Sequence, residues 1–279
     1  MRLVTALIIS LFAGLAIFWM WINYPSVRNK SLDVLQSKKF KTLEVRYSAE
    51  SIMEAHKKDL LKDQEHTYLE PRLIFHPYLL MEVKYSSSHD KTGEGLILWS
   101  MVDGEMVINT NSWEKTHGFT DCIQAGADRD DFKIINALAA NSGFMDRETL
   151  QRTLNVENTT LDTWLEACRK KSLIVQSGNN YRLHFQNPIM QVSPETKLDQ
   201  WLVTKKLRSA SKVSQKFRAS QIEHTARSAF GGDFAIRKTT EVFIPVYSIT
   251  VQNPDGSVMT TFWNALNGKK LPQSYHIEQ

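Results

Sequence analysis

The chain carries the stretch RLIFHPY at Arg72–Tyr78 and a related stretch, TEVFIPV, at Thr240–Val246. An apolar run follows each Phe-x-Pro core, then a polar loop, and then a second apolar run that contains Trp99 in one copy and Trp263 in the other. An Asp-Gly or Asn-Gly pair, a strong signal for a tight turn, closes each copy. Each copy therefore predicts a hairpin of two strands.

A helical pattern precedes each hairpin, at Ser48–His56 and at Arg218–Ala226. A hairpin with one helix cannot bury both faces of its strands alone. We therefore expect a protein of the α+β class, in which a duplicated helix-plus-hairpin unit pairs into one pseudo-symmetric domain.

The N-terminal stretch Leu3–Tyr24 has no charged residue. At about 1.5 Å per residue, it is long enough to cross the hydrocarbon core of roughly 30 Å. Trp19 and Trp21 stand at its C-terminal end, where an aromatic belt would place them. A cleaved signal peptide is the alternative, but the run exceeds the usual apolar region of about 7–15 residues. The sequence therefore predicts an N-terminal transmembrane helix.

Positive charge around this stretch predicts its orientation. Only Arg2 precedes it, whereas five cations follow it: Arg28, Lys30, Lys38, Lys39 and Lys41. Because Lys and Arg near a span stay in the cytoplasm, we expect a single-pass protein of the inner (cell) membrane with most of the chain cytoplasmic. Two cysteines, Cys122 and Cys168, agree with a reducing compartment.

The overall composition is that of an ordinary globular protein. The 279 residues include 42% hydrophobic and 23% charged residues, with a net charge of +4. These values exclude a largely disordered, collagen-like or multi-spanning chain. Two cysteines exclude a disulfide scaffold and a Cys-x-x-Cys zinc pattern.

The middle of the chain has the pattern of three helices and a hairpin. Apolar residues recur at helical spacing in Asp131–Asn141, after Asp146, and again from Thr159. A polar turn then joins Leu173–Val175 to Tyr181–Phe185. This order resembles a winged helix-turn-helix module over about residues 128–186, a resemblance that covers only this segment.

The resemblance implies contact with nucleic acid or with a protein partner. Acidic and basic residues balance between Asp128 and Arg182, with eight of each. Because phosphate neutralisation supplies most nonspecific DNA affinity, this balance favours the protein partner. The predicted contact residues on the third helix and the hairpin are Thr159, Thr160, Thr163, Arg169, Lys170, Lys171 and Arg182.

A basic segment follows the hairpin. Between Lys197 and Lys238 there are ten cations and three anions, with apolar residues at roughly helical spacing. The pattern predicts a basic amphipathic helical segment that ends at Gly231 and binds an acidic partner, anionic lipid or nucleic acid. Its candidate contact residues are Lys205, Lys206, Arg208, Lys212, Lys216 and Arg218.

No catalytic or metal-binding signature is present in the sequence. None of the eight histidines has the paired spacing of a metal site. His117 and Cys122 lie in or beside a polar loop, and the glycine patterns of nucleotide-binding and hydrolase sites are missing. We therefore predict no catalytic residue, no metal, no cofactor and no enzymatic activity.

These features together predict a membrane-anchored, non-enzymatic adaptor or assembly component that recruits a protein partner at the inner membrane face. One alternative is a membrane-tethered winged-helix regulator that binds nucleic acid. Another is an anchored ligand-binding domain or enzyme with a site between the repeats, lined by Trp99 and Trp263. The predicted parts are the anchor at 1–27, the first α+β repeat at 28–127, the winged-helix-like module at 128–190, the basic helical segment at 191–235 and the strands of the second repeat at 236–279.

Overall fold

The computed structural model describes residues 39–63, 65–87, 91–206 and 211–272. The strands in these residues are β1 (Lys39–Leu43), β2 (Thr67–Tyr68), β3 (Arg72–Ser87), β4 (Lys91–Ser100), β5 (Met106–Asn109), β6 (Glu114–Lys115), β7 (Phe144–Asp146), β8 (Ile174–Ser177), β9 (Asn180–Leu183), β10 (Leu202–Lys206), β11 (Ser211–Lys212), β12 (Ala235–Gln252) and β13 (Val258–Asn264). The helices are α1 (Ala49–Ala55), α2 (Lys57–Leu60), α3 (Phe119–Ala125), α4 (Arg129–Ala140), α5 (Arg147–Leu154), α6 (Asn158–Lys170) and α7 (Ala219–Phe230).

The chain divides into two compact units. The smaller one comprises residues 1–40 and 204–210, of which the structure describes 39–40 and 204–206. The larger one comprises residues 41–203 and 211–279 and contains all the described helices.

The two Phe-x-Pro stretches pair with each other at the centre of the large sheet. β3 and β12 run antiparallel, so that Phe75 lies opposite Pro245, His76 opposite Ile244, and Pro77 opposite Phe243. Each strand then continues into its own hairpin, β3 with β4 and β12 with β13. The two stretches that share a sequence pattern are therefore direct neighbours, related by a local two-fold axis at His76 and Ile244.

Each proline stands where its strand loses its hairpin partner. The Met101 N–H donates a backbone hydrogen bond to the Pro77 carbonyl at 3.1 Å. The Ala265 N–H donates the equivalent bond to the Pro245 carbonyl at 3.1 Å. Proline has no N–H to donate, so it suits a sheet position that needs only an acceptor. The Phe-x-Pro motif thus marks the point where each hairpin turns away.

The two faces of the central strands pack into different cores. Leu79, Met81 and Trp99 point to one face and pack with apolar residues of α3, α4 and α7. Tyr78 and Ile244 point to the other face, where their neighbours come from strands and loops. A third, smaller cluster joins α1 and α2 to the far end of β12; it contains Ile52, Leu60, Ile249, Val251 and Trp263.

Residues 128–186 form three helices and a small separate sheet. Helix α4 leads through β7 into α5 and α6, and the β8–β9 hairpin follows. The sheet order is β7-β9-β8. Asp128 caps α4 with a capping box, and Asp146 caps α5 by accepting from the Thr149 N–H at 3.0 Å. The helices and the hairpin lie close to their predicted positions, with α4 beginning at Arg129 rather than at Asp131.

Lys171 joins the C-terminal end of α6 to the N-terminal end of α4. Its Nζ lies 2.9 Å from Asp128 Oδ2 and also bonds Asp131, whose side chain is 2% exposed. Burial by itself would lower the pKa of Lys171, but hydrogen bonds to Asp131 and Asp128 raise it overall. The ammonium group therefore compensates the burial of the Asp131 carboxyl group.

The predicted fold class is wrong as stated. The described residues form a mixed α/β protein with a large sheet and seven helices, and none of these helices is long and apolar enough to cross a membrane. The predicted span at Leu3–Tyr24 lies outside the described residues. The transmembrane helix and the single-pass inner-membrane location with a cytoplasmic body are therefore not supported, and the interpretation as a membrane anchor is withdrawn.

The predicted basic helical segment at 191–235 is helical only in part. Within residues 191–235, only Ala219–Phe230 is α-helical, whereas Leu202–Lys206 and Ser211–Lys212 are strands. Ser211 and Lys212 pair in parallel with Ile74 and Phe75 of β3. Backbone pairing with a long strand outweighs the weak helical spacing of this segment, so the amphipathic surface expected for lipid binding does not form there.

We predict that Lys171→Met lowers the free energy of unfolding by about 1–3 kcal/mol, because it leaves the buried Asp131 carboxyl group without its cation. Lys170→Met is the matched control: Lys170 pairs with Glu166, and both side chains are more than half exposed. That control should cost less than about 1 kcal/mol. Urea unfolding at neutral pH measures both values, and equal losses would contradict the role given to Lys171.

Candidate functional site

The exposed face of α6 is polar and nearly free of large apolar side chains. Leu161 and Leu165 point into the core, whereas Thr159 and Thr163 are exposed. The Thr163 hydroxyl donates to the Thr159 carbonyl at 2.9 Å, and Thr160 is only partly exposed. Of the three predicted threonines, two therefore share this outer face.

Carboxylates of the same module pair with half of its eight cations, namely Lys133, Arg147, Lys170 and Lys171. Arg147 Nη2 lies 2.7 Å from Asp162 Oδ1, and Lys170 Nζ lies 2.7 Å from Glu166 Oε1. Lys171, a predicted contact residue, is held by Asp128 and Asp131. The face of α6 therefore presents paired charges rather than a positive stripe.

Arg169 and Arg182 differ from these cations. The structure gives neither side chain an ion pair or hydrogen bond to another described residue. Arg169 lies beside a groove between α6 and the hairpin, with Gln176 and Tyr181 on the hairpin side. Arg182 lies on β9 and faces the opposite side of the small sheet from the buried Tyr181. The structure therefore places the two arginines at different surfaces.

The predicted basic residues do not lie on one helix. Lys205 and Lys206 belong to β10 and to the smaller unit, and Arg208 lies outside the described residues. Lys212 is in β11, with Nζ 4.0 Å from the centre of the Phe243 ring. Burial lowers the pKa of Lys212, and the Glu241 carboxylate partly opposes that shift.

Lys216 and Arg218 stand just before α7. The Lys216 N–H donates to the Met101 carbonyl at 2.8 Å, and its Nζ lies 5.3 Å from the Phe217 ring. Arg218 is the N-cap residue of α7. Lys216 and Arg218 therefore stand in the segment between β11 and α7, not on the same element as Lys212.

Both tryptophans of the shared pattern are buried in cores. Trp99 is 0% exposed, donates its ring N–H to the Gly104 carbonyl at 2.7 Å, and packs against Phe119. Trp263 is 3% exposed and donates to the Thr261 hydroxyl at 2.8 Å. A ligand groove lined by both rings is not seen in the described residues, which argues against the hypothesis of a site between the repeats.

Sequence reasoning missed a polar cluster beside the central strands. Lys115 of β6 donates to Asp103 at 2.6 Å and to the Tyr78 hydroxyl at 2.9 Å. Its Nζ also lies 5.6 Å from the centre of the Trp113 ring. The spacing of Asp103 and Lys115 matches no known motif. The one sequence signal for this cluster was His76, a polar residue inside an apolar strand.

His76 lies in this region with 1% of its surface exposed. Burial, together with the charge of Lys115, lowers the pKa of His76 to about 4, although the Asp103 charge partly opposes both effects. Burial would raise the pKa of Asp103, but the Lys115 charge and its hydrogen bond hold that pKa below its ordinary value. The cluster thus connects β3, β6 and the turn after β4.

The described residues do not favour a metal site or a reactive cysteine. Among them, no three His, Cys, Asp or Glu side chains are placed to hold a metal ion. Burial raises the pKa of the Cys122 thiol, and so does the nearby Glu105 carboxylate. A buried, protonated thiol is a poor nucleophile, so a catalytic pair with His117 is not favoured.

Comparisons of the chain with protein-family models, curated protein sequences and solved structures find no significant match.

We predict that His76 makes stability depend on pH between about 6.5 and 4. As the pH falls through this range, the unfolded state binds a proton before the folded state does, so the free energy of unfolding falls by about 3 kcal/mol. The variant His76→Leu should lose this part of the pH dependence, which urea unfolding at several pH values measures. The exposed His224→Gln is the control and should keep it; an unchanged slope in His76→Leu would refute the prediction.

Proposed function

We propose that the chain is a non-enzymatic adaptor that binds a protein partner through the surface of residues 128–186. We further propose that these residues form a winged-helix-like module. What supports this is the order of its parts: α4, β7, α5, α6 and the β8–β9 hairpin, with the sheet order β7-β9-β8. In helix-turn-helix proteins the last helix is the one that contacts the target. Here that helix is α6.

The observation that carries the choice of a protein partner is the internal pairing of charges on the module. DNA affinity comes mainly from cations that neutralise phosphates. In this module Asp162 and Glu166 stand on the exposed face of α6 and already engage Arg147 and Lys170. If α6 approached DNA, these carboxylates would face the phosphates and repel them. A protein surface can instead carry charges complementary to both members of each pair.

Two exposed apolar side chains near the hairpin also support a protein contact. Phe144 of β7 is 51% exposed, and Ile189, just after the hairpin, is 47% exposed. Protein interfaces are enriched in aromatic anchors surrounded by polar groups. The module therefore combines a polar helix face with a few exposed apolar side chains.

The alternative, a nucleic-acid-binding regulator, rests on Arg169 and Arg182, the predicted contact cations of the module that have no ion pair among the described residues. Because Arg169 and Arg182 lie at different surfaces, they do not form the line of phosphate contacts that DNA binding usually needs. This alternative is kept as an outcome of the test.

The adaptor proposal predicts two results with the full chain. A mixed-sequence DNA duplex should show no binding by fluorescence anisotropy, either in low salt or at about 150 mM salt. A photo-crosslinking amino acid at Thr163, introduced in the native host, should give one discrete cross-linked protein. The same probe at Thr239, an exposed position on β12, is the matched control and should not give that product.

Strong DNA binding that falls steeply with salt, and that Arg169→Glu and Arg182→Glu abolish, would replace the adaptor proposal with the regulator. Identical cross-linking patterns from Thr163 and Thr239 would contradict the choice of α6 as the contact surface.

A further inference from the structure

A groove lies on the outward face of the small β7-β9-β8 sheet. Its volume is about 620 Å³, and it is bordered by the end of α4, by the sheet and by the segment that follows β9. The register of the sheet places Phe144, Arg182 and Val175 in one row across its three strands. His184, Phe185 and Pro188 close the groove on one side.

No acidic residue lines this groove. Its twelve lining residues include one arginine and one histidine, and the others are apolar, hydroxyl or amide residues or glycine. This composition contrasts with the face of α6, where Asp162 and Glu166 neutralise neighbouring cations. The groove therefore exposes a positive charge that no acidic lining residue neutralises, and an anionic group can bind to it.

Arg182 is the central cation of the groove. It is exposed, and it makes no ion pair or hydrogen bond to another described residue. A guanidinium group has a planar arrangement of donors that matches a carboxylate through two parallel hydrogen bonds. The neighbouring Phe144 ring, which is 51% exposed, offers an apolar surface on the same row.

His184 also lines the groove, beside Arg182. Its Nδ1 lies 3.0 Å from the carbonyl oxygen of Ser172, and because a carbonyl oxygen can only accept, Nδ1 is the donor. This bond fixes the orientation of the ring and leaves Nε2 as the nitrogen that a ligand can reach. In the neutral ring Nε2 is then an acceptor, so the charged donor for a carboxylate is Arg182. The groove thus contains a fixed imidazole, a guanidinium group and an aromatic ring.

We infer that this groove binds an acidic, extended segment of the protein partner. A carboxylate of that segment pairs with Arg182, and an apolar side chain next to it packs on Phe144. This inference rests on the proposed adaptor function and names the chemistry of the partner. Nucleic acid fits less well, because a phosphate backbone needs several cations along a line and the groove has one arginine.

The test uses the full chain and a fluorescein-labelled nonapeptide of alternating Glu and Leu, with binding followed by fluorescence anisotropy. We expect Arg182→Glu to weaken binding at least tenfold and Phe144→Ala to weaken it several-fold. Arg152→Glu is the matched control, because it makes the same charge change at an exposed arginine of α5, in the same module but outside the groove and outside α6. It should change the affinity less than about twofold.

Two further arms separate a peptide site from a simple anion site. A nonapeptide with Gln in place of Glu should bind at least tenfold more weakly. Inorganic phosphate should displace the acidic peptide no better than chloride at equal ionic strength. Thermal melting of each variant verifies that the fold is retained, as expected for exposed positions.

Equal weakening by Arg182→Glu and Arg152→Glu would mean that only overall charge matters, and it would overturn the inference. Absence of binding by the unmodified chain, or full displacement by phosphate, would overturn it as well. If the Thr163 cross-link persists in these cases, the groove proposal fails while the adaptor proposal stands.

Discussion

The antiparallel pairing of β3 with β12 is the interaction on which the rest of the structure depends. It brings together two Phe-x-Pro stretches that are far apart in sequence, with Phe75 opposite Pro245 and Pro77 opposite Phe243. Both faces of these strands carry apolar side chains, and burial of both faces offsets the entropy lost in closing the long loop between the strands. One side packs against α3, α4 and α7, and the other against strands and loops. The module at residues 128–186 lies between the paired strands in sequence and shares the first of these cores with them.

The distribution of charge within that module underlies the functional argument. Buried or half-buried cations are held by carboxylates, as Lys171 is by Asp128 and Asp131, and such pairs secure the packing of α4 against α6. Exposed pairs such as Lys170 with Glu166 add little stability but cancel the electrostatic field of the helix face. Arg182 stands outside this pattern, in a groove without acidic residues. Under the proposed function, the paired charges on α6 and the exposed Arg182 in its separate groove favour a protein partner with an acidic segment over a phosphate backbone.

Sequence patterns predicted the local elements better than their arrangement. The Phe-x-Pro cores, the Trp positions and the Asp-Gly and Asn-Gly turns identified both hairpins, because each signal depends on neighbouring residues. Helical spacing likewise located α4 to α6. The same spacing failed at Leu202–Lys206, where β-branched residues and sheet pairing decide the conformation. Contacts such as Lys115 with Asp103 and Tyr78 depend on which strands become neighbours, and residue spacing does not encode that.

Disulfide formation between engineered cysteines tests the central pairing most directly. Glu82 and Lys238 face each other in the register of β3 and β12, and their side chains form an exposed ion pair at 2.9 Å. The double variant Glu82→Cys with Lys238→Cys should therefore cross-link under mild oxidation, as mass spectrometry would show. Glu82→Cys with Thr240→Cys is offset by two residues, which places the Cα atoms beyond the reach of a disulfide, and it should stay reduced. Efficient cross-linking of the offset pair, or none of the facing pair, would contradict the register and with it the fold described here.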